Sequence, residues 1–450
     1  MKMYDAIIIG FGKGGKTLAL DMAKRGFSVA VVERSKEMYG GTCINIGCIP
    51  TKFLIYKGIK NQKTSSYEEN NKNYKKYLEE KNIFIKTLRE KNFEMLNSYK
   101  NLDIYDGIGS FINNNVIEIK SENNTVSIEG KKIFINTGAK NITPTIKGLN
   151  NNRYVYDSTS IMQLSELPKN LVIIGGGYIG LEFAQMYRNF GSNVTILEGS
   201  QLLMPREERE IADNVKKILE NEGISIKLGI NIEEIKINKI IYRQDDKVKE
   251  IEADTILVAV GRRPDTDELK LENTDVKLGN KKEIIVDEKL HTSAPNIWAI
   301  GDVHGGLQFT YTSLDDYRIV RSELFENGSY TLNERKLVPY TVFLTPQFSR
   351  VGLTEKEARE QGYEIRVAKM IPVTPKMKIM ESTDGVLKVI INAKTDRILG
   401  ASLLMAESAE IINNIAITMK CDKEYYFMRD NIFTHPTVSE ILNDLFSQVK

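Results

Sequence analysis

The sequence predicts an α/β fold, with two doubly wound units built on parallel sheets and a C-terminal α+β domain. Two observations carry this: a strand, glycine turn, helix and strand unit occurs twice at a fixed offset, and the pattern changes after about residue 334. A length of 450 residues agrees, at roughly 100–200 residues per domain.

The first unit begins with the apolar run DAIIIG at 5–10 and turns through Gly10, Gly12 and Gly15. A helical stretch, KTLALDMAKRG, follows, then a second apolar run that ends at Glu33. The second unit reads LVIIGGGYIG at 171–180, with Gly175, Gly177 and Gly180, then LEFAQMYRNFG, and NVTIL ending at Glu198. Corresponding positions are 165 apart, and each acid lies 18 residues after its third glycine. In such a unit the first glycine makes the tight turn, the second admits a pyrophosphate, and the third lets helix and strand pack closely. The helix N-terminus offers free N–H groups to the phosphates, and the acid accepts from the ribose hydroxyls. Two copies point to two Rossmann-like dinucleotide-binding domains.

Residues 57–100 show helical periodicity in Tyr74, Leu78, Ile83, Ile85, Leu88, Phe93 and Leu96 and predict one or two helices. Apolar and polar residues alternate over 101–140 and again over 224–260, predicting antiparallel strands. Beyond 334 strands mix with helices, which predicts the separate α+β domain.

Composition narrows the function. There are 62 basic and 60 acidic residues, so charge gives no argument for nucleic acid or an anionic membrane as partner. No run approaches the roughly 18 apolar residues of a membrane span, and the N-terminus lacks a signal-peptide layout; a cytoplasmic protein is expected. Three cysteines and three histidines leave little for a zinc ribbon or a disulfide scaffold. Two of the cysteines, Cys43 and Cys48, lie in GGTCINIGCIPTK. In a regular helix their Cα atoms would be roughly 8–9 Å apart, whereas a disulfide needs about 4.4–6.8 Å. Pairing therefore requires a break in the helix, which Gly40, Gly41, Gly47 and Pro50 would permit. The alternative is two inert buried thiols.

GGTCINIGCIPTK is similar to the active-site segment of the class I pyridine nucleotide–disulfide oxidoreductases, the group of lipoamide dehydrogenase, glutathione reductase and mercuric reductase. The resemblance continues in TGA at 137–139, GGGYIGLEFA at 175–184, VGRRP at 260–264, NIWAIGDV ending at Val303 and HPTVSE at 435–440. Within the group, FGKGGKTLA, GGLQFTYTSLDDYRIVR and THPTVSEILNDLFSQVK look most like a branch of copper(II) reductases.

The resemblance implies FAD at the first fingerprint, with Gly10, Gly12 and Gly15 on the pyrophosphate, Glu33 on the ribose and Asp302 on the ribityl chain. Gly41, Thr42, Lys52, Gly138 and Gly261 join the cofactor contacts, and Thr310 would neighbour the flavin at a helix N-terminus. The second fingerprint would hold NAD(H) through Gly175, Gly177, Gly180 and Glu198, with Tyr178 as an aromatic gate. Arg206 downstream leaves NADP(H) open. The implied relay runs from NADH through FAD to a Cys43–Cys48 disulfide, with Cys48 next to the flavin and Cys43 outward. Lys52 would pair with Glu182. His435, oriented by Glu440, would act as acid–base on the thiols of the other subunit of a homodimer. The implied domains are FAD-binding over 1–148 and 263–333, NAD(P)-binding over 149–262, and dimerisation over 334–450.

Cys421, His291 and His304 are expected to be structural, and Met370, Met377 and Met380 to be packing rather than copper ligands. The chain ends DLFSQVK without the C-terminal cysteine pair of common mercuric reductases and large thioredoxin reductases. The expected acceptor is a metal ion, Cu(II), or a small molecule. A dihydrolipoamide dehydrogenase-like disulfide oxidoreductase is the first alternative, and a non-turnover redox-sensing flavoprotein the second.

Overall fold

The computed structural model describes residues 1–61 and 66–450, so residues 62–65 of the expected helical region lie outside the described residues. The first sheet runs in the order Leu102–Asp106, Val29–Glu33, Lys2–Ile9, Thr125–Ile135, Val116–Lys120, Ile108–Asn113. Ile297–Ala299 returns to lie parallel beside the end of Thr125–Ile135, pairing Ile133 with Ile297. The alternation of 101–140 was expected to give antiparallel strands, and only part of it does. Val116–Lys120 is antiparallel to both neighbours, but Leu102–Asp106 pairs parallel to Val29–Glu33. Thr125–Ile135 pairs parallel to Lys2–Ile9. Alternation reports one buried face, and a strand's direction relative to its neighbour leaves no trace in that period.

The second unit is a five-stranded parallel sheet ordered Ser225–Lys227, Asn193–Leu197, Asn170–Ile174, Thr255–Val258, Val155–Tyr156. Asn231–Lys236, Lys239–Gln244 and Lys247–Glu252 form an antiparallel sheet beside it, as expected over 224–260, but Ser225–Lys227 and Thr255–Val258 at the two ends of that stretch pair parallel. At the C-terminal end, Tyr340–Val342, Phe348–Gly352, Ile398–Leu404, Val386–Asn392 and Ile365–Met370 form a five-stranded antiparallel sheet. Its apolar face buries Leu387, Val389, Leu403, Ile411, Ile415 and Phe446 among others. This is the α/β architecture with an α+β third domain that the sequence predicted.

Seven helices position the site: α1 (Lys13–Lys24), α2 (Thr42–Asn45), α3 (Cys48–Lys60), α4 (Tyr67–Asn97), α5 (Tyr178–Phe190), α6 (Arg209–Asn221) and α7 (Thr310–Phe325). Helix α4 is capped by Ser66, whose side chain accepts the Glu69 N–H, and buries Tyr74, Leu78, Ile85 and Leu96 along one face. Tyr74 meets Tyr187 and Phe190 of α5, so the long helix joins the two nucleotide units.

Candidate active site

One continuous cavity of about 2180 Å³ runs between the two units and under the C-terminal domain. That is about twice the upper end for a drug-sized ligand pocket, room for more than one dinucleotide. Gly10, Gly12, Cys43, Cys48, Lys52, Gly175, Tyr178, Glu198, Asp302 and Thr310 all line it.

At the first turn, Gly10 has φ +104°, and a Cβ there would lie 2.3 Å from the Asn136 carbonyl oxygen. A Cβ on Gly12 or Gly15 would lie 2.6 or 2.7 Å from Asn136 Oδ1. Asn136, which the sequence reading missed, accepts the Gly15 N–H at 3.0 Å and donates to the Ile300 carbonyl at 2.7 Å. It thereby ties the turn to the segment that returns with Asp302. Gly12 and Gly177, at the N-caps of α1 and α5, have no side chain to cap their helices. At α1 Ser313 and Asn136 accept the Gly14 and Gly15 N–H groups instead, and both helix N-termini face the cavity with their positive ends. Glu33 Oε2 accepts the Phe11 N–H at 2.9 Å, and burial raises the Glu33 carboxyl. Burial likewise raises Asp302, opposed by the nearby Arg262. Glu198 is held in the same way as Glu33, by Gly176 N–H at 2.5 Å and Ser200 N–H at 2.7 Å. Helix N-termini, close-approach glycines and an acid at each turn fit two dinucleotides.

The cysteines lie on separate helices. Helix α2 stops at Asn45, Ile46 and Gly47 leave helical conformation, and α3 restarts at Cys48. Asn45, a second residue missed, donates to the Tyr39 and Gly41 carbonyls and accepts from Arg89 at 2.9 Å, which holds the break in place. Gly41 is needed for a different reason: its Cβ would meet Gly12 Cα at 2.7 Å. Both cysteines are free thiols here. They hydrogen-bond to each other, which raises the Cys43 thiol together with burial and lowers the Cys48 thiol. Lys52 and Thr310 lower Cys48 further, and Thr310 Oγ1, on the first residue of α7, lies 3.8 Å from its sulfur. The N-terminus of α3 adds its positive end. Lys52 Nζ bonds Glu182 Oε2 at 2.5 Å.

Lys16 was also missed. It is buried in the first turn of α1, donates to Asn92, and burial lowers it to about 8 beside Cys43. A lysine after a glycine turn reads as solvated, because the α4 residue that covers it is 76 positions away.

His435 Nδ1 and Glu440 Oε1 are 2.8 Å apart, and Glu440 Oε2 accepts the Thr437 N–H at 3.0 Å. The pair lies exposed on the C-terminal domain and does not line the cavity of its own chain. Gly138 and Gly261 line the cavity, and Gly180 packs on Gly175, where a Cβ would lie 2.1 Å from the carbonyl oxygen. Thr42 and Arg206 also line the cavity. Outside it, His304 bonds buried Asp316 at 3.0 Å, His291 bonds Glu323, and Cys421 is exposed at a helix end. Met377 is fully buried, and Met370 and Met380 rest on the same core. Among the described residues no cluster of three or more His, Cys, Asp or Glu could hold a metal. No described helix is long and apolar enough to cross a membrane.

Residues 4–316 match the pyridine nucleotide-disulphide oxidoreductase family, and residues 338–446 match its dimerisation domain. The chain belongs to this family. The enzyme is 48% identical over its whole length to the probable pyridine nucleotide-disulfide oxidoreductase RclA of Escherichia coli, all of which is covered. It superposes with a TM-score of 0.94 on a solved structure described as the Cu(II) complex of the HOCl-induced flavoprotein disulfide reductase RclA from the same organism, at 48% identity and full coverage of both chains. It is 31% identical to the dihydrolipoyl dehydrogenase of Geobacillus stearothermophilus, over 97% of this chain and 94% of the relative. A mercuric reductase of Staphylococcus aureus is also 31% identical, over 97% of this chain and 81% of its own. The enzyme is therefore an oxidoreductase of the flavin and pyridine nucleotide class.

Proposed function

We propose that the protein is an NADH-dependent copper(II) reductase that works through FAD and the Cys43–Cys48 couple. The observation that carries this is the pair of thiols open to the shared cavity, with Cys48 held as the more acidic sulfur. Full-length likeness to a protein solved as a Cu(II) complex supports the acceptor. The balance is one NADH and two Cu(II) to NAD⁺, two Cu(I) and one proton.

Bound FAD supplies the two-electron carrier between nicotinamide and sulfur. Gly10, Gly12 and Gly15 would cradle its pyrophosphate on α1, Glu33 its ribose and Asp302 its ribityl chain. Gly41, Thr42, Lys52, Gly138 and Gly261 would complete the cofactor contacts. Gly175, Gly177, Gly180 and Glu198 would hold the nucleotide, and the Glu198 carboxylate favours a free 2′-hydroxyl over a phosphate. Cys48 would keep its negative charge against Lys52, Thr310 and the α3 N-terminus. Cys43 would face the acceptor, and two thiolates are soft ligands suited to Cu(I). His435 and Glu440 would reach the thiols of a second subunit in a homodimer, because they stand clear of their own cavity.

The His435–Glu440 pair also favours a second reading, dithiol–disulfide exchange, which needs a proton donor at the outer thiol. Anaerobic NADH titration followed by acceptors separates the two. Copper reduction predicts turnover with Cu(II) that Cys43→Ser abolishes and His435→Ala largely spares. Disulfide exchange predicts NADH-driven reduction of lipoamide, a cyclic disulfide, to dihydrolipoamide that His435→Ala abolishes. Equal NADH consumption with and without copper would refute the copper reading.

A further inference from the structure

Glu207 follows Arg206 in the chain that leaves the second acidic turn, and its side chain is 1% exposed. Two phenols converge on one of its oxygens. Tyr178 Oη donates to Oε1, and Tyr340 Oη donates to the same atom at 2.6 Å. Burial and the carboxylate raise both phenols, so both remain protonated donors. Arg350 NH1 faces Oε2 at 3.4 Å and is itself fixed by the Arg206 carbonyl at 3.0 Å. The Tyr178 and Tyr340 rings stack with centroids 5.8 Å apart and planes 26° apart. Tyr178 opens α5 on the cavity wall, whereas Tyr340 and Arg350 belong to the C-terminal sheet.

We propose that Glu207 is a positioning residue that latches Tyr178 closed over the nicotinamide pocket, with Tyr340 as the donor that keeps the carboxylate satisfied when Tyr178 swings away. The proposal rests on the reading of the second glycine turn as the nicotinamide nucleotide site. The reason is the cost of a buried anion. If Tyr178 were its only donor, each opening would leave a desolvated carboxylate short of a hydrogen bond. With Tyr340 and Arg350 in place, opening costs one bond out of three contacts. Two donors on one oxygen also compete, so each weakens the other's hold. The C-terminal domain thus sets how readily the nicotinamide end is admitted, while the adenosine end, at Glu198, does not feel the latch.

Competition gives the two tyrosines opposite signs. Tyr178→Phe removes the latch and keeps the ring, so NAD⁺ should bind about threefold or more tightly, with a matching fall in KM for NADH. Tyr340→Phe strengthens the remaining latch and strands Glu207 on opening, so NAD⁺ should bind about threefold or more weakly. Glu207→Gln, a weaker acceptor, should follow Tyr178→Phe. ADP-ribose, which has no nicotinamide, should bind all four FAD-loaded proteins within about twofold of one another. Titration calorimetry with NAD⁺ and with ADP-ribose reads both. Shifts of the same sign in the two tyrosine variants, equal shifts for ADP-ribose, or NAD⁺ shifts below twofold would overturn the latch. If one variant fails to load FAD, the difference between NAD⁺ and ADP-ribose in the other two decides. A wild-type protein that binds neither ligand overturns the nucleotide-site reading itself; one that binds both, with unmoved variants, overturns the latch alone.

Discussion

Lys52 Nζ lies 2.5 Å from Glu182 Oε2, and this ion pair joins the helix that carries Cys48 to the helix that begins at Tyr178. The other Glu182 oxygen accepts the Phe343 N–H at 2.9 Å, and Lys52 also sits 4.7 Å over the Phe343 ring. One turn further along α5, Gln185 bonds both the N–H and the carbonyl of Thr345. A single carboxylate therefore holds the thiol helix, the nucleotide helix and the C-terminal domain at one point.

Glu182→Ala should cost about 1–3 kcal/mol, because it strips a charged hydrogen bond and leaves the Phe343 N–H without its acceptor. Glu182→Gln should cost less, since the amide oxygen still accepts that N–H. Urea unfolding of the FAD-loaded protein measures both. Equal midpoints for the alanine variant and the wild type would show that the pair holds nothing together.

The reduced thiols should titrate far apart. Cys48 is lowered by the Cys43 hydrogen bond, Lys52 and Thr310; Cys43 is raised by the same bond and by burial. A lowered thiol means the folded protein holds fewer protons than the unfolded chain between the folded value and the ordinary ~8.5. Stability of the reduced protein therefore rises with pH through that window, and this share is lost as pH falls through the folded value. Cys43 has the opposite sign and removes stability above ~8.5. Ultraviolet thiolate absorbance should show one thiolate per chain forming well below ~8.5, absent in Cys48→Ser. Cys43→Ala should move it upward by about one pH unit or more. Two thiolates appearing together near the ordinary value would contradict this.

Gly12 and Gly177 occupy equivalent turns but should fail differently. A Cβ at Gly12 would lie 2.6 Å from Asn136 Oδ1, which already accepts the Gly15 N–H. At Gly177 nothing lies within 4 Å. Gly12→Ala should lower FAD content and thermal stability together. Gly177→Ala should keep FAD and the melting temperature, yet raise KM for NADH about tenfold or more by filling the space for a phosphate. A Gly177→Ala protein with unchanged KM would remove that turn from nucleotide binding.

Lys388 is 3% exposed and lies 2.8 Å from Glu208, 2.8 Å from Glu355 and 3.2 Å from Glu210, bridging the C-terminal sheet to the start of α6. Lys388→Met should destabilise by on the order of 3 kcal/mol, since Glu208, Glu210 and Glu355 lose the cation they share, leaving only Arg359 on Glu355 and Lys369 near Glu210 to offset their repulsion. The deficit should shrink as pH falls toward ~4.3, where glutamates take up protons. A deficit that is constant with pH would assign the loss to packing instead.

The glycine turns, the acids after them and the broken helix between the cysteines were all legible, because each is a local demand. A turn at φ +104°, a helix restart at Cys48 and an acid at a strand end depend on residues within about one unit of sequence. The site partners Asn136, Lys16, Glu207 and Tyr340 were not legible. Asn136 acts on a turn 121 residues away, and Tyr340 meets Glu207 across 133. Each is an ordinary polar side chain until the fold buries it against partners far away in sequence.

The sequence by itself determined the α/β class, the two nucleotide units, the thiol pair and the family, since periodicity and motif spacing are written along the chain. Only the tertiary structure decided which strands run parallel, that one cavity serves both turns, and that a carboxylate outside every motif holds Tyr178. Those depend on burial and distance between segments far apart in sequence, where desolvation turns an unremarkable glutamate into a group that must be satisfied.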